Sequence, residues 1–156
     1  MKTPYGIFAV FAVLLALCAA ATNLFPSEGQ KVMRDGYYTA ETENPYYGWK
    51  EFLTIYVNNG KIVSAEYDAK NASGLIKSWD MDYMRHMNES DGNYPNKYTR
   101  KYASELLALQ TANGIDAMSG ATESFHTFKS LAEAAIGQAL AGDKKVAYVQ
   151  IPNTAH

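Results

Sequence analysis

Phe52-Leu53-Thr54-Ile55-Tyr56-Val57-Asn58-Asn59-Gly60-Lys61-Ile62-Val63-Ser64-Ala65-Glu66-Tyr67 reads as two strands joined by a tight turn. Phe52 to Val57 is rich in β-branched and aromatic residues, the types that fit a pleated, half-buried surface. Asn58-Asn59-Gly60 follows, and Asn and Gly tolerate the positive φ that a two-residue hairpin turn needs. Ile62 to Tyr67 is the returning strand. Upstream, Gly36-Tyr37-Tyr38-Thr39-Ala40-Glu41 reads as an earlier strand. Asn44-Pro45-Tyr46-Tyr47-Gly48-Trp49 is a loop by its Pro and Gly. These segments predict an antiparallel meander.

Downstream the period changes. Tyr98, Tyr102, Ala103, Leu106 and Leu109 repeat at helical spacing and predict a helix over Lys97 to Gln110. Phe125, Phe128, Ala132, Ala135, Ile136 and Ala139 mark the buried face of a second helix from about Glu123 to Ala141, which Gly142 ends. The segment between Asn71 and Asn96 is irregular, with a short helix over Trp79 to Met87 and a polar turn over Asn88 to Asn93. Val146 to Ile151 alternates loosely as a last strand. The expected fold class is α+β: a small antiparallel sheet packed with two main helices.

The 156 residues suit one domain, and a content 47% hydrophobic and 19% charged can bury a core. The formal net charge of −2, with no basic run, argues against a nucleic-acid partner. Lys2 precedes an uncharged apolar run, Ile7 to Ala21, with small residues at its end. That is the pattern of a signal peptide, and at about 15 residues it is short for a spanning helix. The single cysteine, Cys18, closes Leu15-Ala16-Leu17-Cys18, which resembles a bacterial lipoprotein box except at Leu17, where such boxes carry Gly, Ala or Ser. Lipidation at Cys18, cleavage after Ala21 and retention as an uncleaved anchor are the three readings of this leader. The expected organisation is a leader over 1–21, a polar tether over 22–34 and the domain from 35 to 156. No cysteine remains in the exported part, so packing must hold the fold. His86, His126 and His156 do not pair at metal-ligand spacing.

The stretch that carries chemistry is Asp116-Ala117-Met118-Ser119-Gly120-Ala121-Thr122, at the start of the second helix. Amide groups at a helix start lack intrahelical partners and favour an anion. Ser and Thr before a helix also cap those amides. Local physics therefore leaves two readings, a helix cap and an anion site.

The same seven residues resemble the flavinylation motif of the FMN-binding domain family, which is Asp, two variable residues, Ser or Thr, then Gly-Ala-Thr. Asp35-Gly36-Tyr37-Tyr38-Thr39, Gly48-Trp49-Lys50, Asn59-Gly60-Lys61-Ile62, Asp68 to Leu75, Lys97-Tyr98 and Phe128-Lys129-Ser130-Leu131 extend the resemblance, chiefly to the family's small lipoprotein branch. One departure lies at Ala72-Ser73-Gly74-Leu75-Ile76. Respiratory-complex relatives have Glu-Thr-Pro-Gly-Leu-Gly there, so only Gly74-Leu75 carries over.

The resemblance implies FMN joined by a phosphoester to Thr122, with Ser119, Gly120 and Ala121 beside it. Asp116 would be either a recognition residue or an ordinary turn residue. The resemblance further implies a separate, Mg²⁺-dependent FAD:protein FMN transferase as loading partner, and redox donors and acceptors at the cell surface or in the periplasm. Trp49, Tyr47, Gly74 and Leu75 are the candidates to line the flavin ring, with Trp49 equally readable as a core residue. A surface module binding a sugar, peptide or partner through Tyr46, Tyr47 and Trp49 is a second reading. A flavoenzyme reducing a small molecule is a third, although nothing resembles a nicotinamide site.

Overall fold

The computed structural model describes residues 31–151. The leader, Cys18, most of the tether and His156 lie outside the described residues. The meander forms as expected. Strands β1 (Gly36–Thr42), β2 (Lys50–Asn58) and β3 (Lys61–Lys70) pair antiparallel in sequence. Asn59 and Gly60 occupy the turn at φ 52° and 71°, the left-handed conformation that Asn and Gly tolerate. A bulge follows, so Tyr56 faces Ser64 while Val57 faces Ile62. That extra residue accentuates the twist at the hairpin end.

Three helices and a short strand complete the domain: α1 (Met81–Asp91), α2 (Pro95–Leu109), α3 (Thr122–Ala141) and β4 (Ala147–Val149), with a 3-10 turn over Lys77–Trp79 before α1. The sheet order is β3-β2-β1-β4. β4 runs parallel to β1, pairing Ala40 with Ala147 and Thr42 with Val149, so the sheet is mixed rather than wholly antiparallel. The return through α3 brings the chain back along the free edge of β1 in the direction of β1 itself. The fold class is α+β.

Two helices differ in extent from expectation. α1 starts at Met81, because Asp80 Oδ1 accepts the Tyr83 amide at 3.0 Å and caps it, and it ends at Gly92 in the left-handed conformation. The polar run Asn88 to Asp91 is therefore helical, not a turn. α2 begins with Pro95 in its first turn, where the missing N–H is harmless. It ends where Gln110, at φ 60°, turns its side-chain amide onto β3. Gln110 Oε1 accepts the Ile62 amide at 2.7 Å, and Nε2 donates to the Ile62 carbonyl at 2.9 Å. One side chain thus stands in for a strand partner at that edge.

The core lies between the sheet and the two longer helices. Tyr38, Leu53, Ile55 and Tyr67 point inward from the strands, Tyr102 and Leu106 from α2, and Phe128, Leu131 and Ala135 from α3. α3 rests on β1 and β2 through an alanine-rich face, and α2 covers β3. Tyr67, Tyr102 and Phe128 meet beneath the start of α3, with the Tyr102 and Phe128 rings stacked at 5.2 Å. Each such fully buried side chain contributes about 1.5–3 kcal/mol through burial. This aromatic floor sets the height at which α3 begins, and so the position of the motif.

Candidate functional site

A cavity of about 770 Å³ opens at the first turn of α3. Its walls come from the β1–β2 loop (Tyr46, Tyr47, Trp49), β2 (Glu51), the 3-10 turn (Lys77), α1 (Tyr83, Met87, Asp91) and the segment Gly120 to Ser124. That volume suits a ligand of cofactor size, and the walls combine aromatic rings with many polar and charged side chains.

Thr122 is exposed on the rim, at the first helical residue. The N-cap is Ala121, and no side chain caps the helix. Neither Ser119 nor Thr122 acts as the cap that local sequence statistics favour. The amides of Thr122, Glu123 and Ser124 are therefore donors without an intrahelical acceptor. An anion at this point meets both those donors and the positive end of a helix of 20 residues.

The loop before Thr122 is clamped from below. Asn93, 1% exposed, donates from Nδ2 to the Ser119 carbonyl at 2.8 Å. The buried Tyr102 hydroxyl accepts the Met118 amide at 3.0 Å and donates to the Ala121 carbonyl at 3.3 Å. Gly120 sits at φ 75°, and a Cβ there would stand 2.5 Å from the Asp91 carbonyl oxygen. The absent side chain thus admits the end of α1. Ala121 is buried and plugs the core.

The β1–β2 loop closes as a two-residue turn. The Tyr46 amide donates to the Trp49 carbonyl at 2.8 Å, and the reverse bond is 3.0 Å. Tyr47 and Gly48 lie between, at φ 48° and 81°. A tyrosine in the left-handed region is strained, and strain of this kind concentrates at ligand sites. Tyr47 is 85% exposed above the cavity. Trp49 is buried, with the Tyr83 ring edge-on at 5.8 Å. It both packs and lines the cavity, so the two sequence readings of Trp49 coexist. Lys77 is only 9% exposed, and its ammonium lies 5.8 Å from the Trp49 ring and 4.8 Å from the Tyr83 ring.

The structure brings Thr122, Ala121, Gly120 and Trp49 to one cavity. Gly74 and Leu75 do not line it; they stand exposed in a loop held by Asn71, whose Oδ1 accepts the Ser73 and Leu75 amides at 3.0 Å each. Ser119 and Asp116 are exposed and outside the lining.

Glu51 lies deeper. Burial pushes its carboxyl up to about 7, although the Tyr67 hydroxyl and the Lys77 charge both work in the opposite direction. Burial likewise raises the Tyr67 phenol well above its ordinary value, so it stays neutral.

A sequence profile of the FMN-binding domain family matches residues 47–137. The 15 kDa lipoprotein of Treponema pallidum is 36% identical over 135 residues, covering 86% of this chain and 92% of that protein. A crystal structure of a Clostridium perfringens protein superposes with a TM-score of 0.73 at 34% identity, covering 76% of this chain and 98% of the other.

The chain belongs to the FMN-binding domain family. The match runs from the β1–β2 turn to the last turns of α3, so it contains the cavity walls Trp49, Lys77 and Tyr83 as well as Thr122. In this FMN-binding domain the residues present fit the cofactor: an exposed hydroxyl at uncapped amides for the phosphate, and aromatic walls with one cation for a planar ring. Sequence reading missed Glu51, Lys77, Tyr83, Asn93 and Tyr102. The last two carried a faint signal, since a buried Asn beside Gly92 and a Tyr on an apolar helical stripe both need polar partners inside.

Proposed function

We propose that this protein is an exported electron carrier whose FMN is joined by a phosphoester to Thr122. The observation that carries the reading is the Thr122 hydroxyl, exposed on the cavity rim at a helix start with no side-chain cap. Loading by an FAD:protein FMN transferase with Mg²⁺ fits that exposure. The Thr122 oxygen displaces AMP at the phosphorus nearer the flavin, and the hydroxyl proton leaves to the medium. A nucleophile in such a displacement must be reachable from outside, as Thr122 is.

FMN, once bound, supplies one- and two-electron chemistry, while the protein supplies orientation and electrostatics. The amides of Thr122 to Ser124 would hold the phosphate. Trp49, Tyr47 and Tyr83 would flank the ring, and Lys77 would place positive charge beside it. Asp116, exposed before the motif, suits contact with the loading enzyme. Covalent attachment suits an exported carrier, since a dissociated cofactor is lost there.

The lipoprotein relative favours anchoring through Cys18. Redox partners would then be a membrane donor and a further carrier or terminal acceptor.

The test is intact mass after co-expression with the transferase. Wild type should gain the mass of FMN less one water, and Thr122→Ala should not. A wild type that stays unmodified overturns covalent attachment.

A further inference from the structure

Glu51 lines the cavity from β2, and nothing in the carrier reading uses it. Its Oε2 lies 2.5 Å from the Tyr67 hydroxyl oxygen, and the same hydroxyl lies 2.8 Å from the Ser124 carbonyl. Tyr67 has one hydroxyl hydrogen, and a carbonyl only accepts. An ionised Glu51 draws that hydrogen to its own oxygen and leaves the Ser124 carbonyl without it. A protonated Glu51 can instead donate to the Tyr67 oxygen and leave that hydrogen to Ser124. With Glu51 ionised, Tyr67 serves one oxygen and abandons the other. The geometry thus gives this carboxyl two states, and each settles a different hydrogen bond beneath Thr122.

We propose that Glu51 is the redox-linked proton site of this domain, taking a proton from solvent when electrons enter a flavin held in the cavity. The proposal rests on the FMN reading above. The groups facing Glu51 are Tyr67 and Asp68 on β3, Lys77 on the 3-10 turn and Tyr98 on α2. Asp91 and Glu123 line the same cavity from α1 and α3. Lys77 is the one cation among them, and Asp68 already opposes ionisation of Glu51.

Negative charge gained by the flavin adds to that opposition and raises the proton affinity of Glu51. By linkage, the proton in turn favours reduction. The balance is closed. Two electrons come from an external reductant. One proton enters the flavin ring, and one proton from solvent converts the Glu51 carboxylate to the neutral acid. Reoxidation returns both. Below about pH 7 Glu51 is already protonated and adds nothing, so the contribution belongs to the range above its resting value.

Two measurements test this. In unloaded Thr122→Ala protein, the Glu51 carboxyl followed by isotope-edited infrared or carbon NMR should titrate near neutrality, and the signal should vanish in Glu51→Gln. In flavin-loaded protein reduced by dithionite with redox mediators, the midpoint potential of wild type should fall more steeply with pH above 7 than that of Glu51→Gln. One extra proton per two electrons makes the difference about 30 mV per pH unit. Titration of Glu51 in the ordinary carboxylate range overturns the proposal without any flavin present. Equal slopes in a yellow, covalently loaded pair overturn this assignment and leave the carrier reading intact. A colourless, unmodified wild type overturns both.

Discussion

Gly120 and Gly74 have nearly the same backbone, at φ 75° and 86°, and very different surroundings. Alanine at either position must adopt a left-handed conformation, which costs about 1–2 kcal/mol. A partial offset of about 0.4–1 kcal/mol comes from the stiffer unfolded chain. At Gly74 nothing lies within 4 Å of the new Cβ, so Gly74→Ala should destabilise by about 1 kcal/mol in all. At Gly120 the Cβ would meet the Asp91 carbonyl oxygen at 2.5 Å, the Asp91 Cβ at 3.1 Å and the Asn93 Cβ at 3.2 Å. The first of these is backbone and cannot rotate away. Either α1 or the Ser119–Ala121 segment must shift, which adds an overpacking term of about 1–3 kcal/mol. Gly120→Ala should therefore cost about 2–4 kcal/mol. Urea unfolding of the two unloaded variants measures the difference, and intact mass after co-expression measures FMN attachment. Gly120→Ala should also load poorly, because the shift moves Thr122. If the two variants unfold at the same urea concentration, the close packing of Gly120 against α1 is not what that glycine serves.

Tyr102→Phe removes the acceptor for the half-buried Met118 amide, and should cost about 1–3 kcal/mol in chemical denaturation with the fold retained. The raised carboxyl of Glu51 makes stability depend on pH. A carboxyl whose value rises on folding stabilises fully below its unfolded value near 4.5, and that contribution is lost as pH climbs through about 7. Unfolding free energy should fall over that window by up to about 1.4 kcal/mol per unit, and Glu51→Gln should flatten the curve; an unchanged curve removes Glu51 as the cause. Tyr47→Asn relieves a strained turn and should raise stability by about 1 kcal/mol, while the flavin becomes more open to solvent quenchers of its fluorescence. A loss of stability with unchanged quenching would contradict the role given to Tyr47.

The meander was legible because its signals are local. β-branched runs flank Asn59-Gly60, and the turn fixes the pairing of β2 with β3. Both long helices were legible from their apolar spacing. The parallel edge was not, since three residues of β4 hold no directional information; the path of α3 decides it. α1 was blurred because none of its residues is buried, so no apolar stripe marks its length. Its true bounds lie in the caps, Asp80 and Gly92.

The site divides along a similar line. The motif from Asp116 to Thr122 is contiguous, so resemblance finds it. Its shape depends on Asp91, Asn93 and Tyr102, which belong to other elements. This division explains why local statistics misjudge the helix start. Ser119 and Thr122 look like caps, but Asn93 holds the Ser119 carbonyl and draws that residue away from the helix. Ala121 becomes the N-cap, with its methyl in the core and no oxygen to offer the amides. A Ser or Asp at that position would satisfy those donors within the protein and compete with any phosphate. The small residues before Thr122 thus do two jobs. Gly120 lets α1 close in beneath the loop, and Ala121 leaves the helix start chemically unfinished beside an exposed hydroxyl.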